Sequence, residues 1–434
     1  MDVHEAVGPV ASRAAMAEIE PLKALHYNLR KTGGLQNVVA PPYDVIDAEQ
    51  RAGLAARSPY NVVGIDLPQG DGDPYAHAAA LLERWRSEGA VVQDEAPALW
   101  ALAQDYTGPD GRARTRRGFL ARVRVEDYGA GRIRPHERTH PGPKEDRLRL
   151  TRATRANLSP IFALFSDPEQ RAWNALDAAI AGAAPWSETT DDDGTVNRLW
   201  HVRDTGAIDT AQRTLAAAEL LIADGHHRYE TARVYAEEIG GDGPHRYVLM
   251  CLVALQDSGL TVFPTHRLVR GLRPDQHETL AGALRSAFDV ERLNDTAALV
   301  PAPNGEVRIG YLDAHFRQPF MLTLKDQAIA DEALADHAPP YRRLDTAVLE
   351  ALILKGALKM TDEDIDHLSG LGYARDFEQA VALVEGADYD AAFFMAPTPV
   401  ERVQQVAAAG ESMPPKSTYF FPKVPTGLLF NPLA

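Results

Sequence analysis

The sequence predicts a mixed α/β protein, and three observations predict it. Short apolar runs at 159–165, 219–223, 247–255 and 391–395 have the length and composition of buried strands. Stretches with apolar residues at helical spacing lie between them. Residues 218–232 join the two patterns, passing from a strand through Asp224-Gly225 into a helix.

Taken in order, residues 1–15 are Ala-rich without clear periodicity and are expected to fray. A first strand is expected over 19–25. Pro41-Pro42 within 38–46 forbids a central strand and predicts a rigid extended turn presenting Tyr43 and Asp44. Residues 61–67 read as a further strand. Asp73-Pro74 supplies an N-cap and a first-turn proline to a helix whose apolar side is Tyr75, Ala78, Ala79, Leu82 and Trp85, with Gly89 as its stop. Residues 99–106 and 117–125 flank a Gly-containing loop and predict a hairpin.

The loop 134–144 is dense in functional groups and leads into a helix over 144–155, on which Lys144, Arg147, Thr151, Arg152 and Arg155 share a side. Helices near 169–181 and 209–217 follow, separated by an acidic turn at 191–194. That turn lacks the alternating oxygens of a calcium loop. Beyond the central motif the pattern predicts a strand at 247–255, an extended segment at 261–266, a helix at 275–288 and a hairpin over 306–324. Helices are expected at 345–358 and 400–409. Residues 413–427, with four prolines and three aromatics, predict an ordered, packed loop.

At 434 residues the chain is long enough for two or three domains. The expected division is 18–330 for a main region with insertions, built around the 218–232 stretch, and 331–434 for a C-terminal α/β segment packing on it. Hydrophobic residues make up 45% and charged residues 24%, as in globular proteins, and no apolar run is long enough to span a bilayer. A single cysteine, Cys251, rules out an internal disulfide framework and is expected as a buried strand thiol. With no secretory signal read at the N-terminus, cytoplasm is the expected location. The formal charge of −16 argues against nucleic acid as a partner. Residues 112–155 nevertheless hold 14 Arg and Lys against 5 Asp and Glu, a basic island better suited to a small anion.

The central stretch Ile222-Ala-Asp-Gly-His-His-Arg228 carries the chemistry. A strand that turns through Gly into a helix leaves free N–H groups at the positive end of the helix dipole, a geometry that binds phosphate. Competing chemistries fail on their own requirements. His136-Glu137-Arg138-Thr139-His140 matches the zinc-protease pattern, but Pro141 and Gly142-Pro143 do not let a helix continue through it. Adjacent His226 and His227 diverge too far for a metal pair, although one of them with Glu137 or Asp224 remains open. No P-loop, dinucleotide-binding or nucleophile-elbow sequence is present. What remains is a phosphate site, with Asp224 and Glu137 as carboxylates for a magnesium ion and a general base.

This turn resembles the phosphate-binding motif of the ParB/sulfiredoxin superfamily. The whole chain, from about residue 18 to 430, resembles a bacterial family of uncharacterised proteins. It does so through Val39-Ala-Pro-Pro-Tyr-Asp-Val-Ile46, His140-Pro-Gly-Pro-Lys-Glu-Asp-Arg147 and Met413-Pro-Pro-Lys-Ser-Thr-Tyr419. The superfamily includes free-serine kinases, similar at the Asp-Gly-x-His-Arg turn, and sulfiredoxins, whose catalytic Cys has no counterpart here. The resemblance implies a ParB/sulfiredoxin-like core with a mixed sheet, hairpin insertions and the C-terminal α/β segment. It further implies nucleotide-dependent phosphoryl transfer, from ATP or ADP with Mg²⁺, to a small hydroxylated metabolite such as L-serine. Glu137, Asp224 and His227 are the expected catalytic residues, with Asp224 and Glu137 also the expected metal ligands. Gly225, His226, Arg228, Lys144 and Arg147 are expected at the phosphates, and Lys416, Ser417 and Thr418 are expected to close the site. A phosphatase acting on phosphoserine or a similar ester, and a ParB-like nucleotide-binding regulator without catalysis, are the alternatives. The oligomeric state is not legible.

Overall fold

Two main sheets organise the chain. The computed structural model describes residues 17–434 apart from 71, 109, 131, 138–140, 304 and the side chains of 141–143. The expected fraying of residues 1–15 and most of the His136–His140 pattern therefore lie outside the described residues.

The larger sheet runs, from one edge, Ile133–Arg134, Leu220–Asp224, Ile161–Phe165, Tyr247–Ala254, Ala113–Arg124, Leu99–Thr107, Val196–Val202 and Ser187–Thr190. Ile19–Glu20 adds to Ala113–Arg124. The sheet is mixed: Leu220–Asp224 is parallel to Ile133–Arg134 and Tyr247–Ala254 is parallel to Ile161–Phe165, while the other pairs are antiparallel. Period-two alternation gives it two apolar faces. Ile161, Ala163, Ile222, Met250 and Leu252 pack with residues of the helices Arg171–Ile180 and Thr205–Leu215. Phe162, Leu164, Leu221, Ala223 and Cys251 belong to the other face, whose core continues into the second sheet through Tyr311, Leu322 and Phe393. Burial on both faces explains why Tyr247–Ala254, buried at every residue, reads as an unbroken apolar run.

The second sheet has the order Phe288–Arg292, Pro319–Leu324, Arg308–Asp313, Ala391–Phe394, His266–Val269, Leu371–Ala374 and is antiparallel throughout. It draws strands from both sides of residue 330, so the boundary expected at 330/331 runs through this sheet.

Four local readings change. The helix expected from 144 begins at Pro141, so Gly142-Pro143 lie in its first turn, where a missing proline N–H costs no helical hydrogen bond. Residues 61–67 hold a short helix, Val63–Asp66, and not a strand; the Asn61 side chain accepts from the Val63 N–H at its start. A short apolar run has no period long enough to separate the two. The strand expected over 19–25 divides into Ile19–Glu20 and Leu25–Tyr27, with Pro21 directly after the first. The expected helix over 345–358 begins as α-helix, Asp345–Leu349, and continues as π-helix, Glu350–Ala357.

Candidate phosphoryl-transfer site

The central motif folds as its sequence predicts. A bulge between Ile222 and Asp224 breaks the register against Ile161–Phe165, and such a bulge re-aims the residue that follows it, here Asp224 at the strand end. Gly225 then takes φ +95°, a left-handed conformation natural only to glycine, and a Cβ there would meet Arg228 Nε at 2.9 Å. The helix His226–Ile239 starts immediately, with no side chain capping its first turn.

Asp224 is held from both sides. Its Oδ1 accepts from Lys423 Nζ at 2.6 Å and its Oδ2 from Arg228 Nη2 at 2.7 Å. Burial alone would raise this carboxyl, but Lys423 and Arg228 outweigh it and hold the group well below the ordinary carboxylate range. Arg228 Nη1 turns inward, donating to Ser159 Oγ at 2.6 Å and to the Pro160 carbonyl, while the buried Nε has no hydrogen-bond partner. Arg228 thus braces the turn from beneath.

Beside the turn lies a histidine pair whose tautomers follow from their partners. His136 Nδ1 lies 2.7 Å from the Ile222 carbonyl, which can only accept, so Nδ1 carries the proton and Nε2 accepts from Thr418 Oγ1 at 2.8 Å. The His136 backbone N–H donates to His226 Nε2 at 3.3 Å. In neutral His226 the proton therefore sits on Nδ1, which faces Glu137 Oε2 at 4.0 Å. Burial, reinforced by His136, pushes His226 well below the usual imidazole value, and burial likewise lowers His136. Glu137 keeps 29% of its side chain exposed. The arrangement is a reachable carboxylate backed by an uncharged imidazole that can donate one hydrogen bond.

The C-terminal loop closes over this pair. The Met413 N–H donates to the His136 carbonyl at 2.7 Å, and Tyr419–Phe421 pairs with Thr261–Phe263. Lys423 and Arg375 both lie over the Tyr419 ring, at 5.2 and 4.5 Å. From the second sheet, Arg267 donates to the Thr265 and Pro415 carbonyls, and the field of Glu137 reaches it.

The structure brings Glu137, Asp224, Gly225, His226, Arg228 and Thr418 together. His227 is half-buried on the same first turn. Ser417 is buried and pins its loop, donating to the Pro414 carbonyl at 2.6 Å, whereas Lys416 is exposed. Lys144 Nζ lies 3.7 Å from Glu230. Arg147 is sealed against Asp66 at 3.1 Å and Asp146 at 2.6 Å, with Tyr43 over its guanidinium. It shares with Tyr43, Asp66, Ser159 and Arg228 a cavity beneath the turn.

Apart from Lys144 and Arg147, the paired arginines of the basic segment 112–155 do not converge on the turn. Arg114, Arg122, Arg134 and Arg152 pair with Asp110, Glu20, Glu219 and Glu238. Among the described residues, Asp224 and Glu137 belong to no group of three convergent metal ligands. Sequence reasoning missed Lys423, and it read His136 only within the zinc-like pattern. Lys423 is 199 residues from its partner, and the packed aromatic character of 413–427 was its sole signal.

Residues 19–347 match the family described as "Protein of unknown function (DUF1015)". The chain belongs to that family. No curated protein matches it. Among solved structures, a conserved hypothetical protein from Pyrococcus furiosus is 16% identical, with 68% of this chain and 90% of that one covered and a TM-score of 0.34. A free serine kinase in complex with AMP is 14% identical, with coverages of 67% and 83% and a TM-score of 0.34. SbnI with a C-terminal truncation, from Staphylococcus aureus, is 12% identical, with coverages of 72% and 87% and a TM-score of 0.37.

Proposed function

We propose that the turn at Asp224–Arg228 is a phosphoryl-transfer site and that the protein is a nucleotide-dependent phosphotransferase acting on a small hydroxylated metabolite, with L-serine the first candidate. One observation carries this reading: an uncapped helix N-terminus and Lys423 stand beside a partly exposed carboxylate, Glu137, which faces a neutral imidazole. Phosphoryl transfer asks for little more than cations and dipoles for the phosphates and a base for the acceptor hydroxyl. The resemblance of Ile222–Arg228 to the ParB/sulfiredoxin motif, and through it to free-serine kinases, supports the same reading.

The first-turn amides at His226 and His227, with Lys423, grip phosphate oxygens of ATP or ADP. Glu137 receives the acceptor's hydroxyl proton, and His226 Nδ1–H orients it. Arg228 holds Asp224 and the turn in shape. Lys144, partly exposed, lies on the helix that packs beside the motif helix and can approach transferred charge, while Arg147 supports the site from below. Magnesium binds through one or two carboxylates together with phosphate oxygens. Both oxygens of Asp224 already face cations, so with Glu137 acting as the base a magnesium ion would be held mainly by phosphate oxygens and water; were Glu137 its ligand instead, the base would have to be another group.

Incubation of the full chain with labelled ATP or ADP, magnesium and L-serine tests the proposal. Labelled phosphoserine is the expected product, and Glu137→Gln should lower turnover by about 100-fold or more while nucleotide still binds. If neither nucleotide yields phosphoserine or free phosphate, the proposal fails. Phosphate released from phosphoserine without nucleotide would replace it with the phosphatase reading.

A further inference from the structure

A second cluster of ligating side chains lies far from this turn. His26 is on the strand Leu25–Tyr27, Asp94 directly follows its partner strand Val91–Gln93, and His201 is on Val196–Val202. Four strands of the large sheet separate Val196–Val202 from Leu220–Asp224, which at 4.7–4.9 Å per step is roughly 24 Å. One ligand atom from each of the three residues lies within 4.8 Å of those of the other two.

The polar geometry leaves one buried carboxylate oxygen without a partner. Asp94 has only 3% of its side chain exposed, and its Oδ2 has no hydrogen-bond partner. Its Oδ1 faces His201 Nε2 at 3.2 Å and His26 Nε2 at 3.6 Å, the latter too long for a hydrogen bond. His26 Nδ1 donates to the Tyr27 carbonyl at 3.1 Å, so a neutral His26 turns the lone pair of Nε2 toward the carboxylate. An imidazole that donates one N–H to a backbone carbonyl and aims its other nitrogen at a carboxylate is oriented as metal-binding histidines are. In a tetrahedral site with bonds of about 2.0–2.1 Å, ligand atoms stand about 3.3 Å apart, and the two separations at Oδ1 bracket that value. The rings are held in place: His201 lies against Trp100 with centroids 3.7 Å apart, and His26 meets Trp186 edge-on at 5.2 Å.

We infer that His26, Asp94 and His201 bind one divalent transition-metal ion of the zinc class, clipping the antiparallel strand pair Leu25–Tyr27/Val91–Gln93 to the edge region of the large sheet. Two imidazole nitrogens and one carboxylate oxygen select zinc-like ions over magnesium or calcium, and three protein ligands leave a fourth position for water. His201, with 24% of its side chain exposed, marks the side from which that water enters. Arg203 Nη2 stands 3.4 Å from Asp94 Oδ1 and is the competing cation; half-exposed, it can swing into solvent when the ion binds.

The test uses the untagged full chain, stripped with chelator and titrated with Zn²⁺ by calorimetry and with Co²⁺ by absorption. One tight equivalent is expected, with d–d bands of a four-coordinate cobalt ion and a raised melting temperature. His26→Ala and His201→Ala should each weaken that site at least tenfold, and Arg203→Ala should tighten it. His201→Cys should add a thiolate-to-cobalt charge-transfer band, which arises only if residue 201 touches the ion. Equal affinity in the parent and both alanine variants, or no charge-transfer band in the cysteine variant, overturns the assignment. A protonated imidazole pair hydrogen-bonded to Asp94 gives neither signal.

Discussion

Replacing Lys423 with methionine isolates the contact that joins the C-terminal loop to the central turn. The ammonium sits 2.6 Å from Asp224 Oδ1, and each side chain keeps 16% of its surface exposed. Removing one partner of a fully buried pair costs about 3–5 kcal/mol, because the other charge is left stranded. Here Asp224 keeps Arg228 at 2.7 Å and some water, so the expected loss is smaller, about 1–3 kcal/mol. Urea unfolding of parent and variant at pH 7 measures it. In an Asp224→Asn background the same Lys423→Met change should cost much less, since the charge it balances is gone. The pH dependence has a definite sign. Asp224 titrates below its ordinary value in the folded state, so its contribution is present above about pH 3.9 and declines as pH falls through the folded value. Lys423→Met moves the folded value back toward the unfolded one, so the gap between parent and variant should narrow in acid. A loss below about 0.5 kcal/mol at pH 7, or an equal loss in the Asp224→Asn background, would refute the argument.

Three further outcomes are expected. Arg147→Met leaves the Asp66 carboxylate buried without its partner and should cost about 3–5 kcal/mol in urea unfolding; a change within 0.5 kcal/mol would show that the pair does not stabilise the fold. His136 and His226 are lowered by burial, and His266 is lowered to about 4, so the unfolded chain binds protons below about pH 6.5 that the folded chain refuses. Stability should fall as pH drops from 6.5 toward 5, by up to about 1.4 kcal/mol per pH unit for each histidine, and His226→Asn should flatten the slope; a level profile from pH 7 to 5 would contradict it. Burial pushes the Cys251 thiol up to about 12, so a thiol reagent at pH 8 should label it only at the rate of global unfolding, and prompt labelling would count against the buried strand.

The sequence by itself determined what is local. Gly225 after a short apolar run, followed by helical spacing to Gly240, specifies a strand–turn–helix because only glycine takes φ +95° without strain. The capped helix Pro74–Ser87 and the buried strand around Cys251 were legible for the same reason: their signals lie within a few residues of one another. Only the tertiary structure decided which charges meet. Arg147 shares a helical side with Lys144, yet it ends in an ion pair with Asp66, and the arginines of 112–155 separate to different carboxylates. Lys423 meets Asp224, and Thr418 meets His136, across 199 and 282 residues. Sheet pairing and loop closure create such contacts, and neither leaves a periodic trace in the chain. The same holds for His26, Asp94 and His201, unremarkable as separate residues and brought within 4.8 Å by two strand pairings and a turn.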